Sequence, residues 1–178
     1  MKKLLHYIPF LIILCTTILL FVRVNQSGKD AGAELFGSSQ MVGKQVADME
    51  LDTIFPKNGK IEPGSYQGKY TVLNMFASWC VACLEEHKIF GEFKGSKIEL
   101  VGIAWRDKQE DTKEWLKRHG NPFKTVGADV LGKYGILMGV TGIPETFLID
   151  PKGKIIMHFK GPLMKENIEE IKNKVEGK

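Results

Sequence analysis

MKKLLHYIPFLIILCTTILLFVR opens the chain with Lys2 and Lys3, then runs from Leu4 to Val22 without a formally charged residue. About 20 consecutive apolar residues suffice to cross a bilayer as a helix. Residues 1–23 are therefore read as a membrane anchor, with the two lysines on the cytoplasmic side and the rest of the chain on the other. A cleaved signal would place small residues just after the apolar core. Phe21-Val22-Arg23-Val24 stands there instead, and Ala31-Gly32-Ala33 comes well downstream, so the anchor is read as uncleaved. Residues 24–41, rich in Gly, Ser and Ala, read as a flexible tether. Residues 42–178 remain as one domain.

Within that domain the apolar pattern changes period several times. Val46 to Phe55 alternates loosely, as a first strand or an irregular extended segment would, and Pro56, Gly59, Pro63 and Gly64 then mark a loop. TVLNMF (Thr71–Phe76) and IELVGIAW (Ile98–Trp105) are short, nearly continuous apolar runs, the pattern of strands covered on both faces. A helix is predicted between them from about Cys80 to Phe93. Asp111–Pro122 reads as another, with Trp115 and Leu116 on its apolar side and Gly120 placed to end it. Val130–Tyr134 is a short helical candidate. TFLID (Thr146–Asp150), the turn Pro151-Lys152-Gly153 and KIIMHF (Lys154–Phe159) form a hairpin signal, and residues 165–176 carry Ile168, Ile171 and Val175 at helical spacing. The order β-α-β-α followed by β-β-α predicts an α/β domain, a mixed sheet with helices on both faces.

Composition narrows the function classes. The 178 residues carry a net charge of +4, but the lysines are spread along the chain, without the basic patch that nucleic acid requires. Of three cysteines, Cys15 lies within the apolar N-terminal run, leaving Cys80 and Cys83, too few for a disulfide-stapled scaffold.

Those two cysteines carry the chemistry. Haem attachment needs His directly after the second cysteine, where Leu84 stands. A structural zinc site needs about four ligands, and His87, His119 and His158 show no finger-like spacing. A purely structural bridge would close a very short loop and remove little entropy from the unfolded chain. A redox pair fits better: Cys80 falls where a buried strand turns into a helix, where unpaired amides favour thiolate over thiol. Cys83, one turn later, can attack a mixed disulfide formed at Cys80. Cys83, Glu86, His87 and Phe90 share one helix face at i, i+3, i+4 and i+7, the face turned to the core. A buried Glu86 would have a raised pKa and could exchange a proton with Cys83. His87 reads as a packed, hydrogen-bonded histidine.

LNMFASWCVACLEEH, VGIAW, WLKRHGNPF and GVTGIPETFLIDPKGKI, in that order, resemble the thioredoxin superfamily. Within it the chain is most similar to the cytochrome c biogenesis thiol:disulfide interchange proteins, the DsbE/CcmG family. The resemblance runs from about Gly43 to the C-terminus and implies a thioredoxin-like fold behind a single N-terminal transmembrane helix. It makes Pro144 a cis-proline beside the disulfide, with Ile143 backbone groups free to pair with an extended substrate, and Trp79 an apolar docking surface. Thioredoxins carry a buried acid where Asn74 stands, so a titrating carboxylate must come from elsewhere. Glu86 and Glu145 are the candidates, Glu145 also for tuning the thiolate or discriminating among substrates. The dipeptide Val81-Ala82 departs from relatives that carry Pro between the cysteines.

The implied function is a membrane-anchored, extracytoplasmic thiol-disulfide oxidoreductase that needs no cofactor. It would reduce apocytochrome c or another cytochrome maturation protein and take electrons from a membrane thiol reductase. The implied location is a bacterial-type inner membrane, single-pass, with the soluble domain on the periplasmic side. Two alternatives stand beside it: a general extracytoplasmic thioredoxin-like reductase or oxidase, and a non-catalytic module that holds an apoprotein or haem.

Overall fold

The computed structural model describes residues 14–20, 39–48, 50–55 and 59–177. In the first unit of the chain, Met1–Ser38, residues 14–20 are helical (α1), with Leu14, Ile18, Leu19 and Leu20 exposed. The rest of the expected anchor, and the expected tether as far as residue 38, lie outside the described residues. Among the described residues no helix is long and apolar enough to cross a membrane.

The second unit begins at Ser39. Its elements are β1 (Leu51–Asp52), β2 (Lys60–Ile61), β3 (Tyr70–Phe76), α2 (Val81–His87), a 3-10 turn (Phe90–Phe93), β4 (Ile98–Trp105), α3 (Gln109–His119), β5 (Thr125–Asp129), α4 (Lys133–Leu137), β6 (Glu145–Ile149), β7 (Ile155–Lys160) and α5 (Lys165–Glu176). Five strands form one sheet in the order β5-β4-β3-β6-β7. The β3–β4 and β4–β5 pairs are parallel, whereas β3–β6 and β6–β7 are antiparallel, so the predicted mixed sheet is present.

Strand parity distributes the core. Val72, Phe76, Leu100, Ala104, Val126 and Leu148 meet Cys83, Phe90, Leu116, Ile168 and Ile171, contributed by α2, the 3-10 turn, α3 and α5. Leu73, Met75, Val101, Ile103, Phe147 and Ile149 point the other way, towards Leu51, Ile61, Tyr66, Tyr134 and Met138. Successive strand residues alternate faces, so Asn74 on β3 shares the α2 side with Val72 and Phe76. Thr146, its antiparallel register partner, lies on that side too, and Glu145 falls on the other.

Two readings of the pattern need correction. The single helix expected from Cys80 to Phe93 is α2 followed by the 3-10 turn. Phe90 and Phe93 are both buried, and side chains three apart eclipse in a 3-10 turn, which sends both rings into the core. The second correction is β5, which the pattern did not announce because Gly127 resembles a breaker. A Cβ on Gly127 would lie 2.8 Å from Ile61 Cδ1 and 3.0 Å from Ile103 Cδ1. The glycine thus makes room for the small β1–β2 sheet that lies against β5, where Thr53 bridges to it.

Gly102 on β4 plays the matching role on the α2 side. The Phe76 and Phe123 rings stack with centroids 5.0 Å apart, and a Cβ on Gly102 would sit 2.8 Å from Phe76 Cε1. Gly102→Ala is expected to cost about 1–3 kcal/mol by overpacking, seen as a lower urea midpoint with an unchanged m-value.

Candidate active site

β3 leads directly into the cysteine pair. After Phe76 the chain turns through Ala77, Ser78 and Trp79, and Cys80 becomes the N-cap of α2 with extended backbone (φ −90°, ψ 108°). Its Sγ accepts the Cys83 backbone N–H at 3.1 Å. Cys80 and Cys83 are joined, with an S–S distance of 2.08 Å and Cα atoms 5.3 Å apart. Cys80 is 7% exposed and Cys83 1%, so an incoming group reaches the Cys80 sulfur first. Once the bond opens, a hydrogen bond donated to Cys80 Sγ favours its thiolate, as the nucleophile requires.

Asp107 holds the turn before the pair. Its carboxylate accepts Ser78 N–H at 2.7 Å and Ser78 Oγ–H at 2.9 Å. It also accepts Lys108 N–H at 3.0 Å and Thr112 Oγ1–H at 2.7 Å. Trp79, 57% exposed beside the pair, donates its Nε1–H to Arg106 O at 3.4 Å. Sequence reasoning missed Asp107. Its one signal was an Asp just ahead of a helix, two residues before Gln109, where a carboxylate serves backbone amides. Asp107→Ala would leave several part-buried donors without an acceptor and is expected to cost about 2–3 kcal/mol, measured by denaturant unfolding of the oxidised protein.

Behind the disulfide, one turn along α2 from Cys83, Glu86 is 1% exposed, as its spacing predicted. Oε1 accepts Asn74 Nδ2–H at 2.7 Å, and Oε2 accepts Leu163 N–H at 2.9 Å. Burial pushes its pKa up to about 7, and the bonds from Leu163 and Asn74 only partly oppose that rise. Asn74 also donates to Thr146 Oγ1 at 2.9 Å, while its Oδ1 has no partner. The residue in the place of the thioredoxin acid thus hydrogen-bonds to an acid supplied by α2.

Glu145 occupies the opposite face. Oε1 accepts Thr141 N–H (2.9 Å), Thr141 Oγ1–H (2.9 Å) and Gly142 N–H (3.1 Å). Oε2 meets His158 Nε2 at 2.7 Å. Burial alone would raise this carboxyl, but the bonds from His158 and Thr141 outweigh it and hold the pKa below its ordinary value. The two candidate carboxylates are therefore not brought together. Glu86 titrates near neutrality, and Glu145 stays ionised there. Glu145 fits tuning or positioning and not proton exchange at neutral pH.

The Ile143–Pro144 peptide bond is cis. It lies just beyond the Met75–Glu145 pair, at the end of the sheet where β3 runs on to Cys80. Ile143 is half-buried there and Pro144 buried. His87 is a packing residue: its Nε2 bonds Gly120 O at 2.9 Å, and its ring meets Trp115 edge-on with centroids 4.5 Å apart. Among the described residues no group of His, Cys, Asp and Glu is arranged to hold a metal ion.

The chain is similar to known proteins. Residues 42–158 match the AhpC/TSA family. The chain is 33% identical to the thiol:disulfide interchange protein DsbE of Haemophilus influenzae over 162 residues, covering 90% of this chain and 87% of that protein. It is 32% identical to the thiol:disulfide interchange protein HelX of Rhodobacter capsulatus, over 72% of this chain and 73% of that one. Among solved structures, a Chlorobium tepidum protein described as a DsbE thiol:disulfide interchange protein superposes with a TM-score of 0.64 at 27% identity, over 75% of this chain and 96% of that one. With its cysteines joined at the start of α2 and its likeness running almost end to end along the DsbE sequence, the chain belongs to the AhpC/TSA family and, within it, to the thioredoxin-like thiol:disulfide interchange proteins, as a thiol-disulfide oxidoreductase.

Proposed function

We propose that the chain works as a reductant in cytochrome c maturation, tethered to a bacterial inner membrane with its thioredoxin-like domain on the periplasmic side. The observation that carries the chemistry is the Cys80–Cys83 bond backed by Glu86, an acid poised near neutrality. In the reduced chain the Cys80 thiolate attacks a substrate disulfide. One substrate sulfur leaves as a thiolate, and a mixed disulfide forms. Cys83 gives its proton to the Glu86 carboxylate and attacks Cys80 Sγ. The second substrate sulfur leaves, the Cys80–Cys83 bond re-forms, and two electrons have passed to the substrate. Returning the pair to the dithiol takes two electrons, assigned to a membrane thiol reductase. Trp79, Ile143 and Pro144 position the substrate.

The uncharged run from Leu4 to Val22 supports the anchor, and the relatives' shared description as thiol:disulfide interchange proteins supports the substrate class. Apocytochrome c, or a thiol-handling partner that presents its haem-site cysteines, is the proposed substrate. The test is deletion of the chain: haem attachment to c-type cytochromes stops while other exported disulfides form normally. Broad disturbance of exported disulfides with haem attachment intact would establish the general reductase instead.

A further inference from the structure

His158 lies on β7 opposite Phe147, and the two rings stack with centroids 4.0 Å apart and planes within 17°. Its side chain is fully buried. Both nitrogens of a buried imidazole need partners. Nε2 finds Glu145 Oε2 at 2.7 Å, and Nδ1 finds Ser39 Oγ.

Each partner leads somewhere. Glu145 uses its other oxygen to hold the Thr141 and Gly142 amides, the stretch that runs directly into Ile143–Pro144. Ser39 begins an N-terminal arm laid along the end of β7, where Gly43 N–H donates to Ile155 O at 2.8 Å and Ile155 N–H donates to Lys44 O at 2.9 Å. The Ser39 hydroxyl oxygen also accepts Met41 N–H at 3.1 Å. One imidazole thus ties the arm, the final hairpin and the cis-proline loop together. Without it, Glu145 Oε2 would sit nearly buried with no donor. The carboxylate would then have to protonate, which weakens Oε1 as the acceptor of the two loop amides, or swing away, which releases them.

We infer that His158 is a positioning residue for thiol-disulfide exchange: with Ser39 it locks Glu145, and through Glu145 it fixes the Thr141–Gly142 backbone that presents Ile143–Pro144 to an extended substrate. The inference rests on the proposed role of Ile143–Pro144 in pairing with substrate. It adds a specificity consequence: His158 should matter for a peptide that lies along the loop and much less for a small disulfide that touches only the sulfur.

The test uses the reduced full chain and two probes, a short synthetic peptide with one internal disulfide and the small aromatic disulfide DTNB. The readout is the ratio of the two second-order rates. His158→Phe keeps a ring on Phe147 but loses both nitrogens, and the ratio is expected to fall about tenfold from loss of positioning. His158→Gln, whose carboxamide can still donate to Glu145, is expected to recover to within about threefold of the parent ratio. An unchanged ratio in His158→Phe, or an equal fall in His158→Gln, overturns the proposal. Should His158→Phe fail to fold, Ser39→Ala carries the test. There a fall of about threefold supports the proposal, and an unaltered ratio refutes it. The parent chain's own reaction with the peptide tests the oxidoreductase reading separately, because that reading fails only if no exchange occurs at all.

Discussion

Cys83→Ser, reduced and mixed with a peptide disulfide, is expected to stop at a covalent adduct on Cys80, while Cys80→Ser is expected to form no adduct within the Cys80–Cys83 motif and to lose catalysed exchange. The asymmetry follows from burial and order. Cys80 caps α2 and receives the Cys83 amide on its sulfur, whereas Cys83 is 1% exposed and faces Glu86's side of the helix. Only the outer sulfur can meet a substrate disulfide, and only the inner one can reach Cys80 afterwards. Mass spectrometry of the two variants after peptide treatment checks both halves. An adduct on Cys83 in the Cys80→Ser variant, formed as fast as that on Cys80, would reverse the assignment.

The second large effect belongs to Glu86→Gln. In the proposed mechanism the wild-type carboxylate takes the Cys83 proton during reduction of a substrate, and positioned general bases contribute at least about 10²-fold. The step that releases substrate from the mixed disulfide should slow by that order at pH 7 in the variant. Its rate should also lack the inflection near pH 7 expected of the wild type, because the titrating group there is gone. Stopped-flow measurement of product release against pH distinguishes this from a general loss of structure, which would lower the rate without removing the inflection.

Stability supplies an independent reading of the same residue. Glu86 has a folded pKa raised by burial to about 7 against an ordinary value of 4.5. Below pH 4.5 both folded and unfolded chains hold the proton, and its contribution to stability is complete. As pH rises the unfolded chain ionises first, so stability falls until the folded pKa is passed. At 1.36 kcal/mol per pH unit the loss between those limits is about 3 kcal/mol for the oxidised protein. Glu145 has the opposite sign. Its folded pKa is depressed, so its contribution is present above the ordinary carboxylate range and disappears as pH drops through the folded value. The difference between wild type and Glu86→Gln across pH 4.5 to 7 isolates the Glu86 contribution. Gln can keep the bond from Leu163 N–H through its oxygen and turn its amide towards Asn74, whose Oδ1 has no partner at present.

The chemistry was legible in the sequence where it depended on local spacing. Cys80, Cys83 and Glu86 stand on one short helix, and i, i+3 arithmetic placed them together before any coordinates. The strands Tyr70–Phe76, Ile98–Trp105 and the final hairpin announced themselves through apolar runs and turn residues. Long-range pairing was not legible. Asp107 reaches Ser78 because β3 and β4 are neighbours, and His158 reaches Glu145 because Glu145 lies two residues along β6 from Phe147, the register partner of His158, on the same face. Ser39 reaches His158 from 119 positions away. One structural feature could have been foreseen and was not. Glu145 and Thr146 are adjacent on a strand, so if Thr146 faces Asn74 then Glu145 must face away from Glu86. β5 escaped notice for another reason, since its Gly127 is explained only by the β1–β2 sheet that covers it.

The central proposal is that Cys80 delivers electrons to a disulfide of a cytochrome-maturation protein through a mixed disulfide that Cys83 resolves. Its most direct test is to express the full-length Cys83→Ser chain in its native host, quench thiols with acid, isolate the chain from the membrane fraction and identify what is linked to Cys80. The account predicts covalent adducts, released by reductant and absent when Cys80 is also replaced, that contain an apocytochrome c or a protein that handles its cysteines. Adducts confined to unrelated exported proteins, or none on Cys80 at all, would contradict it.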